Sequence, residues 1–255
     1  MLEEILHIRN VRHAVDRVIT NGGASGIDGM QIDELRDYLN THWQTLRSDI
    51  LLGSYRPRAV RKVEIPKAGG GKRMLGIPTV IDRVIQQSIS QFVVSGYDAD
   101  FHENSYGFRP NRNTHQAVCK AREYLCMGYT WIVELDLEKF FDQVNHDRLM
   151  HLLSRKIEDV RVLGLIGKYL RCGIMDNGLE QNRSQGTPQG SPLSPVLSNI
   201  ILDELDTELS SRGHRFVRYA DDASIYTRSR KSAYRVMSSI TRYIESVLKL
   251  NVNRV

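Results

Sequence analysis

Two adjacent carboxylates, Asp221 and Asp222, follow Tyr219-Ala220 between two apolar, strand-like runs, Arg215-Phe216-Val217-Arg218 and Ala223-Ser224-Ile225-Tyr226. Held at a hairpin tip they repel each other unless a cation joins them, and a divalent metal with open coordination positions is what phosphoryl transfer requires. Taken alone, the tetrapeptide is better explained as an ordinary Asp-Asp turn. A third carboxylate, Asp136, ends the run Trp131-Ile132-Val133-Glu134-Leu135, which reads as a buried strand. Ligands of sheet-based folds gather beyond the carboxyl ends of strands. The competing role for Asp136, a helix cap, is filled better by Asn145 and Asp147, ahead of a helix beginning near Arg148. Three carboxylates on one edge could hold two metal ions about 3.5–4 Å apart, the arrangement of polymerase-type chemistry. Spacing along the chain does not by itself show that they converge.

The elements that must position these residues follow from period and punctuation. Ile5, Ile8, Val11, Val15, Val18 and Ile19 recur at helical spacing, predicting a helix over about 3–20. A Gly-rich break from Gly22 to Gly29 precedes one or two helices ending near Leu52, and 58–77 reads as a hairpin turning at Gly69-Gly70-Gly71. The "GGGK" there lacks the outer Gly and the Lys-Ser/Thr of a phosphate-cradling loop. Helices are expected at about 80–95, 114–127, 147–156 and 159–171, then a short hairpin around Gly178 and a loop from Ser184 to Pro192. A helix to about Ser211, the Asp221-Asp222 hairpin, and a helix with Val236, Ile240, Ile244 and Val247 near one face complete the pattern. From 114 onward this order suits a split βαβ arrangement, an antiparallel sheet with helices behind it.

Composition narrows the class. A chain of 255 residues can bury a substantial core, and 25% charged with 41% hydrophobic residues is ordinary for a globular protein. No apolar run approaches about 18 residues, and Met1-Leu2-Glu3-Glu4 lacks the shape of a secretion signal. Cys119, Cys126 and Cys172 have no metal-ligand spacing and read as reduced thiols. His146 and His151 are five residues apart, the wrong step for one helix face. A net charge of +5 permits a polyanionic partner. Its distribution says more: Arg56, Arg58, Arg61, Lys62, Lys67, Lys72 and Arg73 face only Glu64 as an acid within the same stretch. A solvated hairpin accounts for some of these. The interleaved Val60, Val63 and Ile65 suggest strands presenting a basic face to phosphates.

Several stretches, in order, carry a family resemblance. They are Gly26-Ile27-Asp28-Gly29; "YRPRAVRKVEIPKAGGGKRMLGIPTVIDRVIQ" from Tyr55; "SYGFRPNRNTHQAV" from Ser105; "ELDLEKFFDQVNHDRL" from Glu134; "GTPQGSPLSPVLSNIILDELD" from Gly186; and "RYADD" from Arg218. Together they resemble the reverse transcriptase domain of group II intron-encoded proteins, the maturases. Ser191 departs from the pattern, standing where many relatives look to carry a second Gly; the turn is expected to survive.

The resemblance implies an α+β fold of polymerase right-hand fingers and palm. The palm would be a split βαβ antiparallel sheet backed by helices, and the fingers helical with a basic β-hairpin. Fingers with an N-terminal helical extension are expected at 1–113 and palm at 114–255. It implies Asp136, Asp221 and Asp222 as catalytic metal ligands, with Leu137 lending a backbone carbonyl to one of two Mg²⁺ ions, for which Mn²⁺ could substitute. Lys67 and Arg73 would grip the incoming triphosphate, a point charge and a planar fork both suited to phosphate oxygens. Phe141 would be the steric gate against a ribose 2′-hydroxyl, while neighbouring Phe140 reads better as core. Gln189 would contact the nucleotide near its sugar, and Tyr219 the primer end. Arg56, Arg58, Arg61 and Lys62 are the expected RNA contacts.

The implied activity is RNA-directed DNA polymerisation together with intron-RNA binding. The expected partners are group II intron RNA, an RNA template with a DNA primer, and dNTPs, with no membrane and a homodimer left open. A non-catalytic RNA-binding splicing cofactor and a retron-type reverse transcriptase are the alternatives, and the intact carboxylates weigh against the first. The expected location is cytoplasmic, in a bacterial-type cytosol or associated with the nucleoid, with an organelle as the alternative. Because "LKLNVNRV" from Leu248 stops within a motif of the family, the thumb and later domains are expected to lie outside this sequence, leaving it weak or inactive alone.

Overall fold

The computed structural model describes residues 1–66, 70–176, 179–181 and 184–253. Lys67, the turn glycines Gly69 and Gly178, and the Arg73 side chain lie outside the described parts. In chain order the first elements are α1 (Leu2–Ile5), α2 (Ile8–Asn21), α3 (Leu35–Leu51), β1 (Val60–Pro66), β2 (Lys72–Ile77) and α4 (Val80–Tyr97). Next come α5 (Thr114–Cys126), β3 (Trp131–Leu135), the short α6 (Phe140–Gln143), α7 (His146–Ser154) and α8 (Val160–Leu170). The last are β4 (Ile174–Asp176), β5 (Leu179–Gln181), α9 (Ser194–Ser211), β6 (Arg215–Tyr219), β7 (Asp222–Thr227) and α10 (Arg230–Tyr243), followed by a π turn over Ile244–Leu248. Two compact units divide the chain: Met1–Val93 with His146–Ser194, and Val94–Asn145 with Pro195–Val255.

In the first unit the helix expected over 3–20 is broken. His7 takes an extended conformation and its ring accepts the Arg9 N–H, capping α2 and parting it from α1. Val11, Ala14, Val15 and Val18 form the buried stripe of α2. The Gly-rich break packs against the start of α4, where Arg83 donates to the carbonyls of Gly22 and Ala24 at 3.2 and 2.6 Å. Gly26 has no room for a side chain, since a Cβ would lie 2.6 Å from Thr79 Cα. Beneath this, buried Asp82 accepts from the hydroxyls of Tyr55 (2.7 Å), Thr79 (2.7 Å) and Tyr169 (3.1 Å) and from the Arg58 N–H (3.2 Å). Burial pushes its carboxyl pKa up, and these donors oppose that.

The expected basic hairpin forms, with Arg61 opposite Ile77 and Pro66 opposite Lys72. It belongs to a four-stranded sheet, β2-β1-β4-β5, in which β1 and β4 run parallel. Lys62 is drawn across to Asp176 at 2.8 Å, and Lys72 pairs with Glu64 at 2.6 Å. Ser191 does more than preserve its turn. Its buried hydroxyl donates to Gln86 Oε1 and accepts the Leu193 N–H, anchoring the loop to α4 in a way glycine could not.

In the second unit β3, β7 and β6 lie in that order, all antiparallel. Alternation gives the sheet two distinct faces. Val133, Leu135, Phe216, Arg218, Ala223 and Ile225 form a buried side, backed by α9 and α10. The other side carries Glu134, Asp136, Tyr219 and Asp222, all exposed, and is covered around Val217 and Tyr226, where Tyr124 and Ala117 of α5 pack. β3 is thus not the wholly buried strand its apolar run suggests; Trp131 and Ile132 are each 43% exposed. Residues 104–106 extend the outer edge of β6 through a bridge between Ser105 and Arg218. The π turn shifts the phase of the last helix, so Ile244 and Leu248 are buried while Val247 turns outward.

Candidate active site

The register assembles the carboxylates. Leu135 pairs with Ala223, so one step further Asp136 comes opposite Asp222. Side chains directly opposite on one face have Cβ atoms about 4.5–5.5 Å apart. Tyr219 pairs with Asp222 across the hairpin, leaving Ala220 and Asp221 as a two-residue loop. Ala220 is at φ +58°, a left-handed conformation unfavourable for any residue with a side chain. Gly107 lies against this loop so closely that a Cβ there would sit 2.1 Å from Ala220 N.

The C-terminal segment holds Asp136 from the other side. Glu138 N–H donates to Asn251 O and Asn253 N–H to Asp136 O, both at 2.9 Å, flanking a bridge between Leu137 and Val252. Those two bonds use neither the N–H nor the carbonyl of Leu137. Asn253 Nδ2 also donates to Asp136 Oδ2 at 2.7 Å, fixing the carboxylate's rotamer.

The electrostatics are those of an anionic edge. Burial, then Asp221, Asp136 and Glu134 in that order, raise the Asp222 pKa above its ordinary 3.8. Among the described residues no three acidic, His or Cys side chains are gathered closely enough to hold a metal unaided. The donor set is nonetheless hard oxygen throughout, which suits a cation such as Mg²⁺ that retains water and substrate oxygens as its remaining ligands. A stability prediction follows. The folded chain holds the Asp222 proton more tightly than the unfolded chain does, so this carboxyl's contribution is greatest below pH 3.8 and is lost as pH rises through its folded pKa. In metal-free buffer at pH 7, Asp222→Asn should therefore melt above the parent, with the gain disappearing below pH 3.8. Equal melting at pH 7 would show that the crowding of charge is relieved by other means.

The remaining expected residues fall in both units. In the second, Phe141 is half-buried on α6, edge-on to core residue Phe140 at 5.3 Å, and Tyr219 is 39% exposed. In the first, Gln189 accepts the Gly76 N–H at 2.8 Å through its backbone carbonyl, tying its loop to β2 three residues beyond Arg73. Arg56 and Arg58 are exposed and Arg61 is half-buried, while the Lys62 charge is shared with Asp176. Sequence reasoning missed Gly107, Asn253 and the partners of Arg218. Each acts through a contact distant in sequence. Only the Gly of "SYGF" and the Arg of "RYADD" gave any hint.

The site can be set beside known proteins. Residues 65–254 match the family described as reverse transcriptase (RNA-dependent DNA polymerase). Protein YkfC of Escherichia coli is 40% identical over 191 residues, covering 73% of this chain and 50% of its own length. The group II intron-encoded protein LtrA of Lactococcus lactis is 36% identical over 194 residues, covering 76% of this chain and 32% of LtrA. The chain thus spans half or less of the length of these relatives. A partial Cas6-RT-Cas1–Cas2 complex superposes with a TM-score of 0.54 at 25% identity, over 96% of this chain and 42% of the other. Telomerase from Candida albicans gives 0.60 at 14% identity, over 85% and 46%, a likeness of fold alone. The fold is accordingly that of polymerase fingers and palm. With most of its length inside the family match, the chain belongs to the reverse transcriptase (RNA-dependent DNA polymerase) family and resembles its group II intron-encoded members.

Proposed function

We propose that this chain catalyses RNA-templated DNA synthesis and binds group II intron RNA. The observation that carries the reading is the β3–β7 register, with Asp136 opposite Asp222 on an open face beside Asp221. Reverse transcriptases use divalent metals; here Asp136, Asp221, Asp222 and the Leu137 carbonyl would hold two Mg²⁺ ions, or Mn²⁺ in their place. When bound, these ions would activate the primer 3′-hydroxyl and neutralise charge on the departing pyrophosphate. The chain's own residues do the positioning. Asn253 orients Asp136 by its 2.7 Å hydrogen bond, and Tyr219 presents an exposed ring beside the carboxylates for the primer end. Lys67 and Arg73 would bind the dNTP triphosphate and Gln189 would lie along the sugar. The fingers are assigned to 1–113 and the palm to 114–255, although α7 and α8 of that stretch pack within the first unit.

Arg56, Arg58 and Arg61 are assigned to RNA phosphates. Lys62 is a weaker candidate, because its ammonium already faces Asp176. No helix among the described residues is long and apolar enough to cross a membrane.

The test is extension of a DNA primer on an RNA template, with dNTPs and Mg²⁺, by this chain carried in a polypeptide that also supplies a thumb; absence of template-dependent product there would refute the assignment. The same assay reads the sugar gate. Phe141→Ala opens space beside the ribose, so rNTP use should rise relative to dNTP use by roughly 10-fold or more, the value of one modest steric contact. An unchanged ratio would make Phe141 a packing residue.

A further inference from the structure

Arg218 precedes the carboxylate hairpin in sequence yet faces the opposite side of the sheet, and both it and Asp206 are 0% exposed. All five of its N–H donors are engaged. Nε donates to Asp206 Oδ1 (2.8 Å) and Nη2 to Asp206 Oδ2 (2.6 Å), a two-pronged pairing. Nη2 also donates to Ser105 Oγ (2.7 Å), and Nη1 to Asn199 Oδ1 (2.9 Å) and to the carbonyl of Ala220 (2.8 Å). The last bond ends on the one hairpin residue with a left-handed backbone. Asn199 in turn donates through Nδ2 to Gly107 O at 3.0 Å, and Gly107 is the residue pressed against Ala220. The turn is therefore gripped twice from one buried hub, directly by the guanidinium and through Asn199 and Gly107.

We propose that Arg218 is a positioning residue: its guanidinium holds Ala220 in the left-handed conformation and so determines where Asp221 and Asp222 present their carboxylates. An arginine that merely filled the core would need Asp206 alone. Here two donors are spent on the turn and on its neighbour's support. The unfavourable conformation at Ala220 persists because these contacts over-determine it. Lysine could replace the charge but not the fork, having no planar set of donors to reach Asp206, Asn199, Ser105 and Ala220 together. The proposal rests on the polymerase reading of the carboxylate edge, and its test is built to separate the two.

Two variants are compared with the parent: Arg218→Lys, and the double variant Asp206→Leu with Arg218→Met. The double variant replaces a buried ion pair with apolar side chains, a change that proteins commonly tolerate in stability. Amide hydrogen exchange, measured without substrate, should show protection from Tyr219 to Ala223 reduced roughly tenfold or more, while Val133 and Ile225 of the same sheet keep theirs. In primer extension, turnover should fall on the order of 100-fold, the cost of a small misplacement of reacting groups, with the dNTP KM within about twofold of the parent. The Asp221→Asn variant serves as the reference for a lost carboxylate with an intact clamp, and its exchange pattern should match the parent. Folded variants with parental turnover and parental exchange at the turn would overturn the proposal. So would protection lost evenly across the sheet, which marks a purely structural role. If the parent, carried in that same thumb-bearing polypeptide, extends no primer, the polymerase reading falls, and the exchange pattern still decides the clamp.

Discussion

Asp136→Asn should lower Mg²⁺-dependent primer extension on the order of a thousandfold. A metal that activates a nucleophile and neutralises a leaving group contributes several kcal/mol, and each 1.36 kcal/mol is a factor of about ten in rate. The substitution keeps shape and an acceptor oxygen, so the Asn253 amide can still donate there and the segment over Leu137 should remain in place. What it removes is charge, on the edge where like charges already raise the Asp222 pKa. Asp221→Asn should behave alike. RNA affinity, measured by filter binding, should stay near the parental value for both, because the assigned phosphate contacts lie in the other unit. Near-parental extension by either variant would remove that residue from the catalytic set.

Gly107→Ala is expected to be the most damaging single change outside the carboxylates. A Cβ would lie 2.1 Å from Ala220 N, 2.8 Å from Ala220 Cα and 2.9 Å from the Tyr219 carbonyl carbon. All three atoms are backbone, so no side chain can swing away and the hairpin tip itself must move. Overpacking of this kind costs about 1–3 kcal/mol in stability. A shift of the tip by about 1 Å should cost a further factor on the order of 100 in turnover. Denaturant unfolding and single-turnover extension measure the two losses separately. Gly164→Ala is the control: nothing lies within 4 Å of its added Cβ in α8, and alanine favours a helix. Parental turnover from a folded Gly107→Ala would mean that the tip is free to adjust.

The acidic residues and the elements bearing them were legible because their signals are local. A carboxylate ending an apolar run and two more between strand-like runs need no knowledge of distant partners. The helices from α4 onward, apart from the four-residue α6, were readable for the same reason, as were the basic hairpin and the α+β class. What escaped depends on pairing. Ile132-Val133 reads as buried because both are apolar, but Ile132 shares its face with Glu134, and which face is buried is set by what covers the sheet. Arg218 reads as a charged flank until Asp206 and Asn199 of α9 are brought beside it. Lys62 reads as part of a basic face until β4 delivers Asp176. Asn253 sits in a stretch with no period, and its link to Asp136 exists only after the chain has returned to β3. The break at His7 is local, yet a histidine cap is a weak signal beside the apolar repeat that runs through it.

The register of the three-stranded sheet has a consequence for the order of assembly. β6 and β7 are joined by two residues, so Asp221 and Asp222 can meet their hairpin neighbours as soon as that stretch of chain exists. Asp136 cannot join them until Leu135 finds Ala223 across the long intervening segment, a closure that is slow because its entropy is lost before any pairing is gained. The last strand-like piece, which sets Asn253 on Asp136, is made later still during synthesis. A nascent chain therefore pairs its two clustered acids first and completes its three-carboxylate edge last; if that edge holds cations as proposed, affinity for divalent metal should appear late in refolding, together with the β3–β7 pairing.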